Sequence, residues 1–138
     1  MTWLHWALLS ALFAGLTAIL AKAGVKDVDS DLATAVRTIV IVLFAWGIVF
    51  FRGVANVTQI TPRSWTFLVL SGLATGASWL CYFRALKLGP ASRVAPIDKL
   101  SVPIAMLLAV LVLGEHLTWK HATGGALIVA GSIVIALA

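Results

Sequence analysis

The chain has 138 residues, of which 62% are hydrophobic and only 11% charged, with a formal net charge of +5. Soluble domains carry about 45–50% apolar residues, so this composition excludes a water-soluble fold. The basic balance, which in a soluble protein would suggest nucleic acid, here fits span ends against lipid headgroups, and no nucleic-acid partner is expected.

Five apolar segments, at about 3–23, 32–51, 64–83, 93–113 and 119–138, each approach the roughly 20 residues that a spanning helix needs. The expected fold class is therefore an all-α membrane protein of five transmembrane helices, forming one membrane domain over residues 1–138. In the first span no basic residue precedes Lys22 and Trp3 and Trp6 sit at the start, which favours a retained span over a cleaved signal peptide. Trp3, Ser10, Ala14, Thr17 and Ala21 share one face that suits close helix approach. The loop KAGVKDVDSD holds three of the five acids, and Ser30 or Asp31 is the expected N-cap of the next helix.

Arg37 lies inside the second span, where it either snorkels to the interface or faces the protein interior. The third span has the cleanest periodicity. Ser71, Thr75, Ser78 and Tyr82 fall at i, i+4, i+7 and i+11, within about 60° of arc. Each hydroxyl alone would bond back to its i−4 carbonyl; four in one row favour the wall of a polar cavity. Gly72 and Gly76 lie on an adjacent face, beside Trp65, Trp79 and Phe83.

The fourth span sets an acid and a base, Asp98 and Lys99, inside an apolar run between Pro96 and Pro103. Asp98 lies six residues past Ser92, roughly 9 Å along a helix. Charge at that depth is costly and rarely lipid-facing, which makes the pair a candidate functional site. Pro96 suits a first helical turn, and Pro103 predicts a kink or local unwinding. Gly114 should stop this helix ahead of a short Glu115–His116 turn. Gly124, Ile128, Gly131 and Ile135 line one side of the last span, a face for helix association within or between protomers. Cys81 is the single cysteine, which rules out an intrachain disulfide. The scattered His5, His116 and His121 show no metal-ligand spacing, so neither a metal nor a cofactor is expected.

Residues 84–91, RALKLGPA, leading into a proline-bearing span, then 113–118, LGEHLT, and the closing GGALIVAG run resemble the EamA family of the drug/metabolite transporter superfamily. The resemblance covers the whole chain. It implies transport of small metabolites or drugs across a bacterial inner membrane by alternating access. Typical members have ten spans in two inverted halves, whereas this chain has one five-span half. An intramembrane Asp-Lys pair is not general to that family, so its role rests on the physical argument.

These features favour a transporter, an exporter rather than an enzyme, that acts on a small-molecule substrate as a homodimer in the bacterial inner membrane. The substrate-binding or coupling residues would be Asp98, Lys99, Arg37, Tyr82, Ser78, Thr75 and Ser71. A non-transporting subunit of a larger complex and a lipid-linked-sugar flippase component are the alternatives. Arg37 and Asp98 stand at similar depth and are expected to pair, unless Asp98 instead contacts Lys99. Lys22, Lys26, Arg84, Lys87 and Arg93 flank one face and Arg52, Arg63 and Lys120 the other, which predicts an outside N-terminus and a cytoplasmic C-terminus.

Overall fold

A computed structural model describes residues 2–138, with helices α1 (Trp3–Gly24), α2 (Ser30–Phe51), α3 (Pro62–Leu88), α4 (Ala91–Asp98), α5 (Ser101–Leu113) and α6 (Trp119–Leu137). No strand occurs among the described residues. Five segments are long and apolar enough to cross a membrane, with α4 and α5 together making the fourth. The protein is thus an all-helical, multi-pass membrane protein. Large apolar side chains such as Leu12, Phe44, Leu73 and Leu111 point outward, as they do when lipid rather than water covers the surface. The chain divides into two compact units, one of residues up to Leu20 together with Gly89–Ala138, the other Ala21–Leu88.

In the second unit, α2 begins one residue earlier than the expected caps allow. Asp29 is the N-cap, accepting the N–H groups of Asp31 at 2.9 Å and Leu32 at 3.2 Å. Ser30 and Asp31 are thereby displaced into the first turn, because a carboxylate satisfies two orphan N–H groups at once. α3 starts with Pro62 at its first position, behind Thr61, whose hydroxyl accepts the Ser64 N–H at 3.2 Å. It runs 27 residues and passes Arg84, where the apolar run ends. Arg, Ala, Leu and Lys are all good helix formers, and only the Gly89-Pro90 pair halts it. The end of α3 is tied down by two lysines. Lys22 Nζ donates to the Leu86 carbonyl at 2.6 Å, and Lys87 Nζ donates to the Val28 carbonyl at 2.8 Å. A cation on a last-turn carbonyl satisfies an orphan acceptor and complements the helix dipole. Val25, Phe83 and Leu86 are buried at this end, together with Ser30 and Thr34.

In the first unit, α6 packs on both α4 and α5. The contact runs along Gly125 and Ser132, the two buried residues of α6, seven apart and so on one face. A Cβ built on Gly125 would stand 3.6 Å from Met106 Sδ and 3.8 Å from Pro103 Cβ, ordinary van der Waals contact, so α5 packs directly over this position. The Gly124 and Gly131 positions have open space around them instead. The stripe expected for helix association is therefore not the face that packs inside this unit. α5 ends on Gly114 at φ +69°, a left-handed conformation that favours glycine, with the Glu115 N–H reaching the Ala109 carbonyl at 3.1 Å. α1 and α6 start alike: Thr2 pairs with His5 and Thr118 with His121, each imidazole Nδ1 accepting a threonine N–H at 3.2 Å. These histidines serve the helix ends as capping-box acceptors.

Candidate functional site: a broken fourth span and an intramembrane arginine

The fourth span is broken at its charged pair. Pro103 has no N–H to give the carbonyl of Lys99, four residues back, and its ring crowds that carbonyl. The chain responds by tightening. Lys99 N–H bonds to the Pro96 carbonyl at 3.1 Å, Leu100 N–H to Ile97 at 3.0 Å and Val102 N–H to Lys99 at 3.0 Å, all i to i−3, before Ile104 N–H resumes the i−4 pattern at 3.4 Å. The interruption thus falls one turn ahead of the proline that causes it. Pro96 does not occupy a first helical turn as expected. α4 already starts at Ala91, with Pro90 as its N-cap, so Pro96 sits in the second turn and leaves the Ser92 carbonyl without its N–H.

Backbone exposed by such a break needs a partner when no water is at hand. Ser132 adds a second donor at its edge: its hydroxyl, buried in α6, donates at 3.0 Å to the Pro96 carbonyl, which also accepts the Lys99 N–H. Asp98 closes α4 and Lys99 follows it, with Lys99 Nζ 3.5 Å from Asp98 Oδ2. The cation therefore lies just past a helix C-terminus and the anion just ahead of the α5 N-terminus, the order that both dipoles favour. Neither side chain is sealed: 38% of the Asp98 and 54% of the Lys99 side chain is accessible. Of the two pairings the sequence left open for Asp98, the one with Lys99 is formed.

Arg37 belongs to the other unit, and its guanidinium lies over the Trp79 ring at 4.4 Å from the centroid and near Phe83 at 5.4 Å. Trp79 and Phe83 are i, i+4 neighbours on α3, and stacking of a guanidinium on their faces is a cation–π contact. Beside Arg37 on α2, Thr34 and Thr38 turn their hydroxyls back to the Ser30 and Thr34 carbonyls at 2.8 Å. Ser71, Thr75 and Ser78 are exposed and Tyr82 is half-buried. Thr75 bonds back to the Ser71 carbonyl at 2.9 Å, so that hydroxyl is already satisfied within its helix. By helical geometry, Tyr82 lies about 60° round α3 from Trp79, so the polar row borders the aromatic face.

Trp79, Phe83 and Ser132 were not among the expected site residues. The i, i+4 aromatic spacing was visible, but nothing in it named Arg37 as the group it faces. Ser132 carries no pattern of its own, since its partner is a backbone carbonyl on another helix. Among the described residues, no cluster of three or more metal-ligating side chains occurs.

The sequence model described as "EamA-like transporter family" matches residues 1–137. The chain belongs to the EamA-like transporter family. A curated relative from Sinorhizobium sp, named "Uncharacterized transporter in cobO 3'region", is 53% identical over 137 residues, which cover 99% of this chain and 97% of that protein. The relative is therefore of nearly the same length as this chain. No solved structure matches the chain. Membership of the EamA-like family, with five apolar helices, identifies the protein as a multi-pass membrane protein of a transporter family.

Proposed function

We propose that the protein is a secondary transporter that exports a small organic solute across a bacterial inner membrane, acting without a cofactor as a homodimer of five-span protomers. The observation that carries this reading is the interruption of the fourth span at Asp98 and Lys99 within a transporter-family chain. Secondary transporters place substrate and coupling ions near the midplane, at discontinuous helices whose ends and unpaired backbone face a cavity. In the proposed cycle, Asp98 and Lys99 contact substrate or coupling ion, and the 96–102 segment is the deformable part that changes between inward-open and outward-open states. Arg37, Tyr82, Ser78, Thr75 and Ser71 are the further substrate-binding or coupling residues of this reading, carried by the other unit. The open glycine positions Gly124 and Gly131 support helix association between protomers, and a second copy supplies the wall that the inverted half provides in ten-span relatives.

The test is transport by the purified protein in proteoliposomes, screened with small metabolites and drugs, for wild type and Asp98→Asn. Asp98→Asn keeps size and shape, so it should insert at wild-type abundance yet lose transport or shift its pH dependence. Wild-type transport by Asp98→Asn at every pH would make Asp98 structural. No transport of any solute by the wild type would favour a subunit role.

A further inference from the structure

A charged arginine inside a spanning helix has few stable solutions: it reaches to the headgroups, pairs with a carboxylate, or faces a polar cavity. Depth along the helices decides against the first. Arg37 lies seven residues from the start of α2, roughly 10 Å along the axis. On the neighbouring α3, Phe83 is five residues from the Leu88 end, roughly 7–8 Å, and Trp79 is nine, roughly 13–14 Å. The guanidinium is closer to Trp79 than to Phe83. It therefore lies level with or deeper than its own Cα, where a snorkelling side chain would pass Phe83 towards Leu86 and the headgroups.

The second solution is not used inside its unit. The acids there are Asp27, Asp29 and Asp31, all at or before the first turn of α2, and none pairs with Arg37. Trp79 and Phe83 supply ring faces, which attract a cation but accept no fork of N–H bonds. Arg37 is half-buried, so its side chain is not sealed inside the unit. The guanidinium is thus set against two ring faces with no carboxylate of its own unit beside it.

We propose that Arg37 is a carboxylate-binding residue, and that the solute carried is a small organic carboxylate received by the N–H edge of this guanidinium. This rests on the transport reading above. A guanidinium matches a carboxylate with two parallel charge-assisted bonds, and its contacts with two ring faces limit the freedom it has to lose when a ligand docks. In a low-dielectric setting, the arriving carboxylate also neutralises a charge that is costly to leave alone. Tyr82 and the hydroxyl row border the site along α3. Trp79 and Phe83 act as positioning residues for the guanidinium.

The experiment measures equilibrium binding of radiolabelled acetate, hexanoate and benzoate, each against its neutral amide, to the intact protein in detergent. At least one acid should bind saturably to wild type and exceed its amide tenfold or more. Arg37→Gln should remove that preference. Arg37→Lys, which keeps the charge but not the fork, should weaken it several-fold, and if Arg37→Gln does not fold, the lysine variant and the acid–amide comparison carry the test. Acids that bind no better than amides, or equally well to the Arg37 variants, would overturn the proposal. So would competition by inorganic phosphate at equal concentration, since that marks a general oxyanion or headgroup site. Proteoliposomes separate this from the transport reading. Carboxylate bound but never moved removes transport and leaves the site; another solute moved without carboxylate binding removes the site and leaves transport.

Discussion

At the residue scale, the groups that hold this protein together are polar contacts at helix ends, because lipid offers the apolar faces little reason to leave it. Lys22 on the Leu86 carbonyl, Lys87 on the Val28 carbonyl and Asp29 on two N–H groups gather one end of the second unit. The N–H groups of Leu32 and then Asp31 hold the Asp29 carboxyl below its ordinary value, with Lys87 and Arg84 adding to the shift. A carboxyl lowered on folding stabilises the native state at any pH above its ordinary value, and that contribution is lost as the pH falls through the lowered one. Thermal unfolding in detergent, followed by tryptophan fluorescence from about pH 6 to about pH 3, should show wild type losing stability at the acid end. Asp29→Asn keeps a capping oxygen without the charge, so its curve should be flatter there. Identical acid sensitivity in the two proteins would remove Asp29 from the account.

At the element scale, the fourth span depends on two prolines that act at a distance of one turn. Pro103 removes the bond to Lys99 and sets the interruption beside Asp98, while Ser132 adds a second bond to the Pro96 carbonyl at its other side. Pro103→Ala restores the missing N–H. We expect it to raise thermal stability, by about 1–3 kcal/mol on the scale of proline in a helix interior. If bending at 96–102 accompanies the transport cycle, the same variant should slow transport by roughly tenfold, which corresponds to about 1.4 kcal/mol on the barrier. A melting curve and an initial transport rate on one preparation check both. Higher stability with an unchanged rate would mean that the break positions Asp98 and Lys99 without moving.

At the scale of the whole molecule, orientation and assembly are set by charge and by the faces left open. Five basic residues flank the loops on one face and three on the other, a bias towards an outside N-terminus and a cytoplasmic C-terminus that is narrow enough to permit dual insertion. With five spans the termini lie on opposite sides, and an antiparallel dimer requires dual insertion. Reporter fusions at both termini, together with crosslinking of single cysteines at Gly124 and Gly131 in a Cys81→Ser background, test this directly. Crosslinked dimers and reporters active in both orientations are the antiparallel outcome, which we favour slightly; one orientation with crosslinks is the parallel one. An active protein that never crosslinks and remains monomeric would remove the dimer.

The sequence alone determined the membrane class, the five spans and the helix stop at Gly114, because length, hydropathy and glycine chemistry act locally. It also determined that the fourth span must break, since the N–H that Pro103 lacks is a property of one residue. Tertiary structure decided the rest. The break settled at residues 99–100, where backbone bonding tightened and Ser132 of α6 reached the Pro96 carbonyl. Glycine spacing marked α6 as a packing helix, but Gly125 and Ser132, rather than Gly124 and Gly131, form the inner face. Two stripes of small residues one position apart look alike in hydropathy, and only the packing of α6 on α4 and α5 distinguishes them. Arg37 was visible as a charge at depth; its place over Trp79 and Phe83 was not, because a long side chain selects its partner from whatever a neighbouring helix presents.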